Sequence, residues 1–258
     1  MLNASTKLNK IIPVIGLGTW EMTGKDCIES VTTALKMGYR HIDTAQNYNN
    51  EEYVGKGIKK SEVERDEIFI TTKIATERLT PSGIRSSFNE SLKKLEVDFI
   101  DLLLIHWPTP SMDLKSCLET MFELVEDNKL NYVGVSNFDP ELFKEALRYG
   151  PVVNNQVKFT PYEQAFDVLE AVKENDETLT AYSPLARGKA TTDKHLKEIG
   201  DKYDKTPSQV ILRWLIQLGN VSVIPKASKE KHQLENLDIF DFELSEEDMN
   251  TISKKSKS

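Results

Sequence analysis

The sequence predicts an α/β fold, a single (β/α)8 TIM barrel that spans residues 1–258 as one domain. Eight short apolar, β-branched runs alternate with amphipathic segments, as strands and helices alternate in such a barrel. The length of 258 residues is close to the roughly 250 residues typical of this fold. No linker, low-complexity tract or change in composition divides the chain, so one domain is the simpler interpretation.

Several of the predicted strands are apolar throughout, as strands buried on both faces should be. Their ranges are 15–19, 40–43, 68–73, 100–107, 132–136, 152–157, 178–182 and 221–225. Residues 1–14 precede the first strand, and we expect them to form a short hairpin that closes the bottom of the barrel.

Helices between the strands have recognisable start signals. A capping residue stands directly before a proline at three places: Thr80-Pro81, Asp139-Pro140 and Thr206-Pro207. Because the first helical position does not use its N–H group, a proline is well suited to it, and each pair predicts a helix start.

Composition limits the partners and the compartment. The formal net charge of −8 and the pI of about 5.2 argue against nucleic acid or an anionic membrane as the main partner. The N-terminus has no apolar leader, and no window approaches the roughly 18 apolar residues of a membrane span. We therefore expect a cytoplasmic protein with a small-molecule substrate, a monomer rather than an oligomer, in which Cys27 and Cys117 are reduced thiols.

Polar residues follow the predicted strands, where a barrel carries its functional groups. Asp43, Lys73 and His106 end or follow three of the strands, and Tyr48 comes shortly after the second. Reducing a carbonyl group needs a proton on oxygen, but a free phenol with a pKa of about 10 is a poor donor at neutral pH. An ammonium about 4 Å away contributes about 4 kcal/mol at an effective dielectric near 20, or roughly three pKa units. Lys73 is therefore expected to lower the pKa of Tyr48, and Asp43 to keep Lys73 charged.

Eight motifs, in order across nearly the whole chain, resemble the aldo-keto reductase family, in particular its prokaryotic aldehyde and diketogluconate reductase-like members. The motifs are GLGTW at 16–20, IDTAQNYNNEE at 42–52, TTK at 71–73, LLLIHWP at 102–108, GVSNF at 134–138, NQV at 155–157, AYSPLARG at 181–188 and IPKASKEKHQLEN at 224–236. The resemblance implies an NAD(P)H-dependent reductase of small aldehydes, α-ketoaldehydes or keto-sugars. Tyr48 would be its general acid, assisted by Lys73, Asp43 and His106, and His106 would also bind the carbonyl group.

No GxGxxG motif follows a strand, and Gly16 and Gly18 are interpreted as a tight strand-end turn. The resemblance instead implies a different nicotinamide site. Its expected nicotinamide and pyrophosphate residues are Thr19, Trp20, Ser136, Asn137, Gln156, Tyr182, Ser183, Pro184, Leu185 and Arg187. Among these, Ser136, Asn137 and Gln156 would bind the carboxamide and Tyr182 would stack on the ring. Without the resemblance, an Asx-type turn is an equally good explanation for Asn137.

The adenosine end of the cofactor is expected on the segment after the last strand, at Lys226, Ser228, His232, Glu235 and Asn236. Lys226 matches the lysine that pairs with the 2′-phosphate, which favours NADPH. His232 stands where the family usually has arginine, and a histidine grips phosphate less well than a guanidinium fork. NADH, or use of both cofactors, therefore stays open.

The resemblance also implies a substrate pocket formed by Trp20, Tyr48, His106 and Trp107, with Asn47 and Phe138 as further candidates. The segment after His106 is short, which favours a shallow pocket and small substrates. Alcohol oxidation is the alternative direction of the same reaction. A non-catalytic, cofactor-binding regulatory subunit is the alternative from another class.

A metal-dependent hydrolase that uses His41, His106 and Asp43 as ligands is a third hypothesis. No HxH pair or additional carboxylate cluster supports it, so no metal is expected.

Overall fold

The computed structural model describes residues 7–8 and 11–255. Its strands are β1 (Lys7–Leu8), β2 (Ile12–Pro13), β3 (Leu17–Gly18), β4 (His41–Asp43), β5 (Phe69–Ile74), β6 (Ile100–Ile105), β7 (Leu130–Ser136), β8 (Val152–Lys158), β9 (Thr178–Tyr182) and β10 (Val221–Ile224). Strands β3 to β10 correspond to the eight predicted strands. They form one parallel sheet in which each strand pairs with the next along the chain.

The first and last strands of this sheet close it into a barrel. Residue Ile15 forms a parallel bridge with Val223, and the Gly16 N–H group donates to the Val223 carbonyl oxygen at 2.9 Å. Two residues further along the chain, the Gly18 N–H group donates to the Pro225 carbonyl oxygen at 3.2 Å. The predicted (β/α)8 barrel is confirmed.

The strands are separated by helices that lie outside the barrel. These are α1 (Gly24–Lys36), α2 (Glu51–Ser61), α3 (Pro81–Leu95), α4 (Leu114–Glu126), α5 (Pro140–Leu147), α6 (Phe166–Glu174), α7 (Lys194–Asp201), α8 (Pro207–Gln217), α9 (Glu230–Leu237) and α10 (Glu246–Ser253). The three predicted start signals are confirmed, because the side chains of Thr80, Asp139 and Thr206 each accept a hydrogen bond from a backbone N–H group in the first turn.

A hairpin precedes the barrel, as predicted. Strands β1 and β2 pair antiparallel, and Ile12 is fully buried in a cluster with inward-facing residues of the barrel strands, Phe69, Leu102, Leu104 and Val153. This cluster closes the bottom of the barrel. The rest of the predicted hairpin, residues 1–6 and 9–10, lies outside the described residues.

Gly16, which directly precedes β3, and Gly18, which ends it, have a different role from the predicted one. A Cβ atom at Gly16 would lie 2.6 Å from His41 Nδ1, and one at Gly18 would lie 2.6 Å from the Ile224 carbonyl oxygen. The tight-turn interpretation is therefore wrong. Gly18 is needed because the backbone of β10 approaches it closely where the barrel closes, and Gly16 is needed because the side chain of His41 from β4 occupies the space beside it.

Two further features bear on the composition. Cys27 and Cys117 are buried and form no disulfide, as predicted. Among the described residues, no helix is long and apolar enough to cross a membrane.

Candidate active site

The four predicted catalytic residues meet at the C-terminal end of the barrel. Asp43 ends β4, Lys73 lies near the end of β5, and His106 follows β6 directly. Tyr48 lies on a 3-10 turn, Gln46–Tyr48, that follows β4. Because the strands are parallel, their carboxyl ends share one rim, and the turn folds the phenol back over it.

Lys73 is the centre of this arrangement. Its ammonium group donates hydrogen bonds to Asp43 Oδ1 at 2.6 Å, to the Thr44 carbonyl oxygen at 2.8 Å and to the Tyr48 hydroxyl oxygen at 3.3 Å. The side chain is 1% exposed. All three donors of the ammonium are therefore used inside the protein.

The charge of Lys73 is stabilised by its partners. Burial disfavours the ammonium, but the Asp43 carboxylate and the Tyr48 oxygen outweigh it, so the pKa of Lys73 is raised. Asp43 is held from its other side, since Gln156 Nε2 donates to Asp43 Oδ2 at 2.7 Å. The contacts thus fix the orientation of the pair, while burial raises the pKa of Asp43 more than Lys73 and Gln156 lower it.

The pKa of Tyr48 differs from the sequence-based expectation. Burial of the phenol raises it, and the lowering effect of the Lys73 ammonium does not outweigh that of burial. The net direction is upward. The sequence indicates the charge of Lys73 beside the phenol, but it does not indicate that the phenol loses contact with water in the folded protein.

His106 is neutral beside this pair. Burial lowers its pKa to about 3, and the Lys73 charge acts in the same direction. Its ring lies edge-on to the Tyr48 ring, with 5.7 Å between the centroids. Its Nδ1 atom is buried without a hydrogen-bond partner.

Asp43, Tyr48 and His106 line a cavity of about 230 Å³, here called the inner cavity, and the buried Lys73 lies behind them. Its lining residues are Gly18, Trp20, Asp43, Tyr48, His106, Trp107, Ser136, Asn137, Gln156, Tyr182, Ser183, Arg187, Ile224 and Lys226. All four residues predicted to form the substrate pocket are among them. Trp107 is 47% exposed at the mouth, and Trp20 is partly buried rather than a core residue.

The residues predicted to bind the carboxamide lie together on one side of the inner cavity. The Asn137 amide donates to the His106 carbonyl oxygen and to Ser136 Oγ, and its oxygen accepts from the Tyr182 hydroxyl at 3.0 Å. Ser136 Oγ donates to the Gln156 carbonyl oxygen. Asn137 makes no Asx turn, because α5 is capped by Asp139 instead.

A second cavity of about 620 Å³, here called the outer cavity, continues from the inner one. The two cavities share Trp20, Ser183, Arg187 and Lys226. The outer cavity is also lined by Pro184, Leu185, Ser228, His232, Glu235 and Asn236, which completes the predicted cofactor set except for Thr19. Together the cavities form a groove that runs from the four predicted catalytic residues past Arg187 and Lys226, a shape that fits an elongated dinucleotide.

The segment that crosses between the cavities has an unusual backbone. Ser183, Ala186 and Arg187 all have positive φ values, between 49° and 54°. The Arg187 guanidinium lies over the Trp20 ring, 4.5 Å from its centroid. Such left-handed non-glycine residues cluster at binding sites.

Three residues predicted to contact the cofactor or the substrate line neither the inner nor the outer cavity. Thr19 is fully buried and donates to the Asp43 carbonyl oxygen, so it lines neither cavity. Asn47 is exposed beside a different surface depression, and Phe138 is buried in the core. Thr19 follows an inward-facing glycine, and the alternation of a strand turns its side chain away from the cavity.

The outer cavity also contains residues that sequence reasoning missed, chiefly Glu21, Thr206, Pro207 and Ser208. Thr206-Pro207 was recognised only as a helix start signal. Its position at the groove depends on how α8 packs, which the local pattern does not specify. Glu21 follows Trp20 directly and could have been found from that neighbour.

The described residues contain no group of three or more His, Cys, Asp or Glu side chains placed to hold a metal ion. His41 Nε2 pairs with Thr71 Oγ1 at 3.0 Å within the barrel. The hydrolase hypothesis therefore has no ligand set in this part of the chain.

Comparison with known proteins gives the family. The Aldo/keto reductase family model matches residues 14–257. The chain belongs to the aldo/keto reductase family. It is therefore an oxidoreductase of a family that reduces carbonyl groups with NAD(P)H.

Individual members of the family are similar over most of their length. A glyoxal reductase from Bacillus subtilis is 41% identical over 249 residues, 95% of this chain and 90% of the relative. A methylglyoxal reductase DkgB from Yersinia pestis is 42% identical over 232 residues, 88% of this chain and 86% of the relative. A crystal structure provisionally assigned as 2,5-diketo-D-gluconic acid reductase B has a TM-score of 0.95 at 37% identity, and the match covers 99% of this chain and 92% of that one.

Proposed function

We propose that this aldo/keto reductase reduces small aldehydes, α-ketoaldehydes or keto-sugars to alcohols, with NADPH as the hydride donor. The observation that carries the proposal is the set of three hydrogen bonds from the Lys73 ammonium to Asp43, Thr44 and Tyr48 beside the inner cavity. That arrangement places a fixed positive charge beside a phenol that faces bound substrate.

Tyr48 acts as the general acid. Its hydroxyl is protonated at neutral pH, and because burial raises its pKa, transfer of the proton to the carbonyl oxygen depends on the neighbouring Lys73 ammonium. As the proton leaves, the phenolate forms next to the Lys73 ammonium, which stabilises the new negative charge. Asp43 acts through Lys73, because it holds that side chain charged and in place.

His106 orients the carbonyl group. Its ring is neutral, and Nδ1 has no partner in its buried position. A buried N–H group without an acceptor is costly, which favours the tautomer with the proton on Nε2. That N–H group donates to the carbonyl oxygen beside the Tyr48 hydroxyl.

The nicotinamide cofactor supplies the hydride that adds to the carbonyl carbon. Residues along the groove would hold it: Trp20, Ser136, Asn137, Gln156, Tyr182, Ser183, Pro184, Leu185, Arg187, Lys226, Ser228, His232, Glu235 and Asn236. Lys226 would pair with the 2′-phosphate, which is the reason for preferring NADPH over NADH.

Two observations support small substrates. The inner cavity is narrow, with a volume of about 230 Å³, and its mouth is bordered by the half-exposed indole of Trp107. The similar proteins named for their substrates act on glyoxal and methylglyoxal. Both compounds are two- or three-carbon dicarbonyls that such a cavity accommodates.

The test is the decay of nicotinamide absorbance with NADPH or NADH across a panel of glyoxal, methylglyoxal, glyceraldehyde, an aromatic aldehyde and a keto-sugar. We expect turnover that is fastest with the small dicarbonyls and faster with NADPH than with NADH. Binding of cofactor without turnover of any substrate would contradict the proposal and favour a non-catalytic, cofactor-binding subunit.

A further inference from the structure

Glu21 lies in the loop between β3 and α1, on the wall of the outer cavity. Its carboxylate Oε2 is 3.7 Å from Lys226 Nζ, and its backbone carbonyl oxygen accepts a hydrogen bond from the same nitrogen at 3.4 Å. The ammonium proposed to meet the cofactor phosphate is therefore in contact with an anion of the protein itself.

The charges of the outer cavity are balanced. Its cationic side chains are Arg187 and Lys226, and its acidic side chains are Glu21 and Glu235. Glu235 is close to the remaining titratable group, with 3.5 Å between its Oε2 atom and Nδ1 of His232. Apart from His232, the side chains that line this cavity therefore offer a multiply charged phosphate no net positive charge.

The backbone holds Glu21 in this position. Its φ of 60° is in the left-handed region, and in this conformation both its carbonyl oxygen and its carboxylate contact Lys226, in the segment after β10. On the same loop, Trp20 contacts the Arg187 guanidinium. In this loop, the Trp20 ring therefore contacts Arg187, and the Glu21 carboxylate contacts Lys226.

We propose that Glu21 is a specificity-determining residue for the cofactor, because its carboxylate competes with the 2′-phosphate of NADPH for Lys226. NADH has a hydroxyl group at that position and does not need the ammonium to be released. Glu21 therefore weakens the preference for NADPH and allows NADH to be used as well. This inference rests on the proposed function, in which Lys226 binds the 2′-phosphate.

The expected change in NADPH affinity depends on how exposed the two side chains are to water. The side chains of Lys226 and Glu21 are 41% and 60% exposed, so water screens their interaction. Exposed ion pairs of this kind change an equilibrium by about two- to fivefold. Removing the carboxylate is expected to tighten NADPH binding by about that factor and to change NADH binding by less than about twofold.

The experiment measures the dissociation constants of NADPH and NADH by quenching of tryptophan fluorescence in the wild type and in Glu21→Gln. Glu29→Gln is the matched control, because it removes the same charge from an exposed residue of α1 whose partner is Lys25. A second pair, Lys226→Met with and without Glu21→Gln, tests whether the effect passes through Lys226.

The inference predicts tighter NADPH binding in Glu21→Gln alone, no such change in Glu29→Gln, and no effect of Glu21→Gln once Lys226 is methionine. Equal tightening of both cofactors would overturn it, since Lys226 would then meet a phosphate that NADPH and NADH share. Unchanged binding of both would overturn it as well. Turnover by the wild type, measured separately by the decay of nicotinamide absorbance, distinguishes these outcomes from a failure of the proposed function, in which neither cofactor would support reduction.

Discussion

Lys73 Nζ lies 2.6 Å from Asp43 Oδ1, and both side chains are almost completely buried. Neither charge has bulk water to stabilise it. Each charged group therefore depends on the other, so the same pair matters for folding and for the proposed chemistry. The two contributions are separable by mutation.

Asp43→Asn is expected to lower the free energy of unfolding by about 3–5 kcal/mol, because it leaves the Lys73 ammonium buried without a counter-charge. The double variant Asp43→Asn/Lys73→Met removes both charges and should recover a large part of that loss. Reductase activity should stay low in both, because Asp43→Asn removes the partner that holds Lys73 charged and in place, and the double variant has no lysine at all. Urea denaturation and steady-state kinetics measure the two effects. A double variant less stable than Asp43→Asn would contradict this account of the pair.

Because His41 and His106 are buried and neutral, the stability of the protein is expected to depend on pH. Burial lowers the pKa of His41 to about 3, as it does for His106, whereas a histidine in the unfolded chain has a pKa of about 6.5. Between these values the unfolded state binds more protons than the folded state, so stability falls as the pH falls below about 6.5. The slope should be about 1.4 kcal/mol per pH unit for each histidine.

The measurement is the free energy of unfolding between pH 7 and pH 5 for the wild type, His41→Asn and His195→Asn. His41→Asn should show a shallower slope, whatever its stability at pH 7. His195 has a largely exposed side chain and serves as the control, with a slope like that of the wild type. An unchanged slope in His41→Asn would show that His41 is not a buried neutral group.

Barrel closure at Gly18 gives a prediction about packing. A Cβ atom there would lie 2.6 Å from the Ile224 carbonyl oxygen and 3.8 Å from the Lys226 backbone nitrogen. Gly18→Ala should therefore lower the free energy of unfolding by about 2 kcal/mol or more and also weaken NADPH binding, because the backbone that carries Lys226 must move. Denaturation measures the change in the free energy of unfolding, and cofactor titration measures the change in NADPH binding.

Gly24→Ala is the control for this substitution. Gly24 has a φ of 56° but no atom within 4 Å of its added Cβ, so only backbone strain opposes the alanine. That strain is worth about 1–2 kcal/mol, and cofactor binding should not change. If Gly18→Ala binds NADPH as tightly as the wild type, the close approach of β10 does not position Lys226.

The sequence was sufficient to predict the strands and that Asp43, Lys73 and His106 meet at one rim, because both depend on local pattern. Asp43, Lys73 and His106 come at the ends of apolar runs, and parallel strands bring such ends together without further information. Tyr48 is different, since it reaches the site through a 3-10 turn rather than a strand end, and the strand pattern does not specify such a turn.

What sequence reasoning could not predict depends on distances across the fold. The pKa of Tyr48 was expected to fall, but burial raises it, and burial is a property of the assembled rim. Gly16 and Gly18 were assigned to a turn because their close neighbours, the His41 side chain and the Ile224 carbonyl oxygen, lie on other strands, the second of them about 200 residues later in the chain. Glu21 was missed for the same reason, since its partner Lys226 lies beyond the last strand.

The central claim is that Tyr48 supplies the proton, and Tyr48→Phe tests it most directly. The control is Tyr149→Phe, which removes a phenol that pairs with Glu145 away from both cavities. With methylglyoxal as substrate, kcat/KM of Tyr48→Phe should fall by at least about 100-fold, the usual contribution of a general acid, while its Kd for NADPH stays within a few-fold of wild type. Turnover by Tyr48→Phe within tenfold of the wild type and of Tyr149→Phe would contradict the account.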